Sequence, residues 1–116
     1  MYTASYAAVP HIVSAIESHP VRATMDYFQL PACIEIARRN GKGPAIPADL
    51  VGSYQLALSK IPTLASAALQ TERTQDECAV IAAAIVAAKG YVSLAEAMME
   101  LDTETIQKVI EHRYDV

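Results

Sequence analysis

At 116 residues the chain is long enough to bury the core of one domain, and 53% hydrophobic against 19% charged residues excludes a disordered chain. Nine basic and thirteen acidic residues leave a net charge of −4, so nothing electrostatic points to nucleic acid, which is held by clustered Lys and Arg. The N-terminal residues lack the basic stretch, apolar run and cleavage site of a secretion signal, and the sequence reads as one cytoplasmic helical domain over 1–116.

The first helix is predicted from about Thr3 to Ser18, with Val9, Ile12, Val13 and Ile16 at helical spacing. Tyr2 and Tyr6 extend this stripe backward. Pro10 lies inside it, where a proline removes one backbone hydrogen bond and normally bends a helix. A second helix is expected from about Pro20 to Asn40. Val21, Met25, Phe28, Ala32 and Ile36 mark its apolar face, and Leu30, Ile34 and Ala37 widen it. Arg38 and Arg39 suit its last turn, and Asn40-Gly41 suits its stop.

Gly41 to Ala45 forms a short joint, and Pro47 reads as the first position of a third helix. Leu50, Tyr54, Leu58, Ile61 and Leu64 then mark a stripe that continues to Leu69. The fourth helix holds CAVIAAAIVAA (78–88), apolar on every face, which requires burial on every face. Thr74 and Glu77 precede it at capping-box spacing, and Lys89-Gly90 closes it. This run is shorter than the roughly 20 residues that cross a bilayer, so no membrane is expected. Ser93 and Glu96 suggest a second capping box, opening a short fifth helix from Leu94 to Leu101. Asp102 or Thr103 caps a sixth, with Ile106, Val109 and Ile110 on one face and Gln107, Lys108, Glu111 and His112 on the other.

The expected fold is therefore all-α, with about six helices in antiparallel pairs and the fourth at the centre. A curved stack of pairs and a closed six-helix bundle give the same order of elements. Aligning Pro10 with Pro62 also pairs Ser14 with Ser66 and Ala15 with Ala67, a hint of internal repetition.

ASYAAVPHIV (4–13), the Ile46-Pro47-Ala48 segment before the helix of Tyr54, and AAIVAAKGYVSLAEAMMEL (83–101) resemble small bacterial HEAT-like α-solenoid proteins. The resemblance spans roughly residues 3 to 101. It implies a short right-handed superhelix of α–α pairs that binds another protein. Many of the family are thought to be immunity proteins that neutralise a cognate toxin. It implies no catalytic residue. In that family more chain usually precedes the Tyr-Ala-Ala-Val-Pro segment, so the first helix is expected to lack an N-terminal neighbour.

No motif points to catalysis, a cofactor or a metal. His11, His19 and His112 are scattered and read as surface residues, and Cys33 and Cys78 read as small buried side chains. Glu96 and Glu100 lie one turn apart, but the capping box accounts for Glu96. Two groups remain as interaction candidates. Arg38, Arg39 and Lys42 are the one basic cluster, either complementing a helix C-terminus or docking an acidic partner. Tyr2, Tyr6 and Val9 form an apolar aromatic edge, either packed against the second helix or open for a homodimer through the first helix. The expected function is a non-enzymatic protein-binding scaffold of the immunity-like kind. A small helical enzyme or ligand-binding domain is the alternative, recognisable by buried titratable groups, of which the predicted core positions offer almost none.

Overall fold

The computed structural model describes residues 3–20 and 23–114, and the readings of Tyr2 and Val21 lie outside these. Among the described residues six helices form: α1 (Ala4–Ser18), α2 (Met25–Arg39), α3 (Val51–Ala68), α4 (Gln75–Ala88), α5 (Val92–Met99) and α6 (Thr103–Tyr114). Among the described residues there is no strand. Among the described residues no helix is long and apolar enough to cross a membrane.

α4 is the centre. None of its residues from Glu77 to Ala88 is exposed, and it packs against α2, α3 and α5. Its start is fixed locally: the Thr74 hydroxyl accepts from the Glu77 backbone N–H, and the Glu77 carboxylate accepts from the Thr74 N–H, both at 3.2 Å. Such a cap is worth about 1 kcal/mol. Arg73 joins three elements at this end. Its guanidinium donates to the Ala68 carbonyl closing α3 and to the Ala23 carbonyl ahead of α2, and it lies 3.6 Å from Glu77 of α4.

The directions of the helices follow from a few contacts. Ile16, late in α1, lines one pocket with Ala23 just ahead of α2, and Ile12, earlier in α1, lines another with Leu30 within α2, so these two helices run antiparallel. Tyr6 stacks on Tyr54 while Glu17 pairs with Lys60, so α1 and α3 run the same way. Arg73 bonds Ala23 at one end while Arg39 covers Gly90 at the other, so α2 and α4 also run the same way. The body is thus two antiparallel hairpins stacked in one sense, α1 on α3 and α2 on α4.

The two hairpins correspond residue by residue. Adding 52 to the buried residues of α1 (Tyr6, Val9, Val13, Ile16) gives Leu58, Ile61, Ala65 and Ala68 of α3, all buried. Adding 49 to Pro31, Ala32, Ile34 and Glu35 of α2 gives Val80, Ile81, Ala83 and Ala84 of α4, again all buried. Both α2 and α4 end at a left-handed glycine, Gly41 at φ 70° and Gly90 at φ 95°. After each, an N–H reaches back over the last turn, Lys42 to the Ala37 carbonyl at 2.9 Å and Tyr91 to the Val86 carbonyl at 3.1 Å. The Pro10–Pro62 alignment belongs to the same pattern.

Several local expectations change. α2 starts at Met25, after a β-region Thr24, rather than at Pro20. Pro47 lies outside α3: its carbonyl accepts from Leu50 N–H in a turn, and the helix begins at Val51. The Ser93–Glu96 capping box does not form. The chain enters α5 directly from the Gly90 turn, Tyr91 takes the cap position, and Ser93 falls inside the first turn. Leu30 is half exposed rather than core. The third antiparallel pair does not close, since α5 packs on α4 and α2 and α6 makes no extended packing with any described helix. Thr103 Oγ1 donates to Asp76 at 3.3 Å where α6 starts, and α6 is exposed from Gln107 to Arg113. The Cα radius of gyration is 15.1 Å, against about 13 Å for a compact domain of this length, with extents of 54 × 33 × 18 Å.

Ile81 has no exposed surface. Ile81→Asp is expected to abolish the cooperative thermal unfolding seen by circular dichroism. An unpaired buried carboxylate costs several kcal/mol against a total stability of roughly 5–15 kcal/mol. A cooperative melt near that of the parent would show that α4 is not the centre of stability.

Candidate functional site

The residues singled out in the sequence do not meet as one surface. Tyr6 and Val9 have no exposed area, which corrects the open aromatic edge: both are core. The Tyr6 ring meets Tyr54 edge to face, centroids 5.3 Å apart, and its hydroxyl donates to the Pro44 carbonyl. Tyr6 and Val9 are therefore not open for a contact through the first helix; Tyr2, the third member of the edge, lies outside the described residues.

Arg38 and Arg39 lie in the last turn of α2, as expected, but they serve a partner that the sequence reading passed over. Glu35 is completely buried, the only charged residue among those described that keeps no exposed surface. Arg38 grips it with two hydrogen bonds, Nε to Oε1 at 2.7 Å and Nη2 to Oε2 at 2.8 Å. Arg39 Nε adds a third to Oε2 at 2.8 Å, and the Tyr54 hydroxyl a fourth to Oε1 at 2.9 Å. Burial by itself would raise the Glu35 carboxyl; the hydrogen bonds from Arg38, Arg39 and Tyr54 outweigh it and hold the group below its ordinary 4.5. Burial first, then the adjacent carboxylate, pushes the Tyr54 hydroxyl up. The signal was present in the sequence, since Glu35, Arg38 and Arg39 stand at i, i+3 and i+4 on one helix face.

This cluster satisfies the count of buried titratable groups that would mark an enzyme, contrary to the expectation of an apolar core. Its chemistry is that of a closed network. Both Glu35 oxygens are engaged, and among the described residues no buried side-chain nitrogen or oxygen lacks a partner. A carboxylate held ionised by two guanidinium groups is a poor general base. Glu35 offsets one of the two arginine charges, and the Arg39 side chain keeps 45% of its surface exposed.

Lys42, the third member of the basic cluster, lines a groove between α2 and α5. Cys33, Ile36, Ala37 and Asn40 line it on the α2 side, and Glu96, Met99 and Glu100 on the other. Asn40 Nδ2 donates to Glu96 at 3.3 Å, so Glu96 bridges to α2 instead of capping its own helix. Cys33 is exposed here rather than buried, with its Sγ 3.9 Å from Met99 Sδ. The groove holds about 230 Å³. It joins an apolar floor to a rim of one ammonium and two carboxylates. Cys78 is half buried, and His11, His19 and His112 are exposed and dispersed. Among the described residues no three His, Cys, Asp or Glu side chains converge as metal ligands would.

No family model, curated protein or solved structure matches this chain.

Glu35→Gln is expected to destabilise the fold by about 3 kcal/mol, since one partner of a buried ion pair is lost, and Tyr54→Phe by about 1 kcal/mol. The pH dependence follows from the depressed Glu35 carboxyl. The unfolded chain takes up the proton first as pH falls, so the stabilisation is complete above about pH 4.5 and is lost below it. Denaturant midpoints should fall more steeply below pH 4.5 in the parent than in Glu35→Gln. The slope left in the variant belongs to carboxylates such as Glu77 and Asp102, lowered by hydrogen bonds from Thr74 and Thr105. Identical acid limbs would show that Glu35 gains nothing from its partners.

Proposed function

We propose that this chain is a non-enzymatic protein-binding scaffold of the HEAT-like kind, acting in the cytoplasm, with the groove between α2 and α5 as its recognition surface. The observation that carries this reading is the lining of that groove. Ile36, Ala37, Met99 and the exposed Cys33 make a floor for an apolar anchor, while Lys42, Glu96 and Glu100 set charges on its rim. Soft sulfur side chains adapt to a partner's shape. At about 230 Å³ the groove is smaller than the roughly 300–1,000 Å³ of pockets that enclose a small molecule. It suits a side chain or two of a protein partner. The two stacked hairpins support the HEAT-like description, because such stacks are generic binding scaffolds. The immunity-like form of the proposal rests on the sequence resemblance and has a toxin as the partner.

The alternative, an enzyme or ligand-binding domain with its site in an inter-helix cleft, has the buried Glu35, Tyr54 and Tyr6 on its side. The first two are bonded to each other and Tyr6 to Pro44, so each of these three groups is already engaged within the core.

A benzophenone attached to Cys33 in a Cys78→Ala background tests the proposal by photo-cross-linking in the cells that make this protein. One discrete protein adduct is expected, lost in Glu96→Lys/Glu100→Lys and absent when the label sits at Gln55→Cys, with Cys33 also replaced, on the exposed face of α3. An adduct indifferent to the two carboxylates, or none, would overturn the assignment of the groove. For the immunity-like form, co-expression with a toxin encoded beside this chain should restore growth. Undiminished killing would remove that form.

A further inference from the structure

The offset of 52 also carries one buried patch of α3 onto α6; of the four α3 residues matched to α1, Leu58 recurs and Ile61 falls on Arg113. Adding 52 to Tyr54, Ala57 and Leu58 gives Ile106, Val109 and Ile110. The three α3 residues are buried at 0%, 4% and 5% exposure, whereas Val109 and Ile110 stand 59% and 45% exposed. α6 therefore carries the apolar face of a stacking helix without the stack.

The surface that would receive it is also present and empty-handed. α1 receives α3 through Pro10, Ser14 and Glu17, with Glu17 bound to Lys60 at 3.2 Å. The offset carries Pro10 and Ser14 onto Pro62 and Ser66. These two line an open groove on the outer side of α3, continued by Ile85 and Lys89 of α4. So α3 repeats toward solvent the surface with which α1 holds α3, and the helix that corresponds to its missing occupant is α6.

The helix cannot fill that groove in its own chain with the same register. Lys60 lies near Glu17, at the C-terminal end of α1, so the equivalent docking sets the far end of α6 beside the C-terminal end of α3. In the structure the near end of α6 is there instead: Thr103 bonds Asp76 at the start of α4, just after α3 ends. Moving it up α3 by about two turns means a shift of roughly 10 Å and loss of that bond. A second copy has no such restriction. We infer that two copies of this chain exchange α6, each laying Ile106, Val109 and Ile110 into the α3–α4 groove of the other. A reciprocal exchange uses the same two surfaces on both chains and closes as a two-fold dimer. This inference rests on the internal correspondence and is independent of the groove between α2 and α5.

Sedimentation of the whole chain over a range reaching about 100 μM, where an association of roughly −6 kcal/mol or better registers, tests it first. A dimer is expected, reduced to a fully helical monomer by Val109→Glu/Ile110→Glu. These side chains are exposed in the single chain, so the substitutions leave its fold intact. A monomer throughout, or a dimer indifferent to these substitutions, overturns the proposal. The exchange itself is read by cysteine cross-linking in a Cys33→Ser/Cys78→Ala background. Mixed Val109→Cys and Ser66→Cys chains should form a disulfide-linked pair on mild oxidation. Linking of Val109→Cys chains only to each other would mean that α6 meets α6, and a disulfide closing within monomers of the double variant would mean docking in one chain. Either result overturns the exchange.

Discussion

Removing a carboxylate from water costs several kcal/mol unless hydrogen bonds and opposite charge replace what water supplied, and Glu35 is removed from water completely. Four hydrogen bonds replace it, three from the arginines of the next turn and one from Tyr54 of α3. The three arginine bonds are local and form wherever α2 forms. The fourth exists only if α3 lies against α2 in the observed register. A slip of one turn would leave a buried carboxylate oxygen short of a donor and place an unpaired tyrosine hydroxyl in the core. Tyr54 in turn is met edge-on by Tyr6, whose own hydroxyl holds the Pro44 carbonyl and so the joint between the hairpins. Arg39 completes the circuit by lying over Gly90, 3.4 Å from where a Cβ would be. One charge thus ties α1, α2, α3, the connecting loop and the end of α4 to a common geometry.

The correspondence between the hairpins explains why this works in so short a chain. Neither hairpin can bury its apolar face alone, and stacking one on the other in the same sense buries both. The second hairpin has Ala84 where the first has Glu35, so the polar cluster belongs to one member of the stack only. That asymmetry fits its position: Glu35 meets Tyr54 from α3, and Ala84 lies under 2% exposed with no polar group to satisfy.

Stacking also leaves ends. α5 leaves the stacking pattern and packs on α4 and α2, and in doing so it builds the groove with α2. The same departure leaves the outer side of α3 open and sets α6 away from the body. The two surfaces offered for recognition follow from what comes after the glycine turns: residues 42–50 separate Gly41 from α3, whereas α5 starts at Val92, directly after Gly90.

The sequence by itself determined the helices that carry strong local signals. The capping box at Thr74, the all-apolar run after it, the Gly41 and Gly90 stops and the Asp102 cap, whose carboxylate accepts from Thr105 N–H at 2.7 Å, all act within a few residues. The periodic stripes of α1 and α3 likewise fixed which faces turn inward. Where a local signal competed with a tertiary contact, the contact won. Glu96 stands at capping spacing from Ser93 but bonds Asn40, because the Gly90 turn starts α5 before Ser93. Tyr6 and Val9 read as an open edge until α3 covers them, and Cys33 reads as core until α5 leaves its side of α2 open. Glu35, Arg38 and Arg39 share a helix face by spacing alone, yet spacing could not say whether that face meets water or Tyr54. Burial depends on residues far away in the chain, and that only the packing of the helices decided.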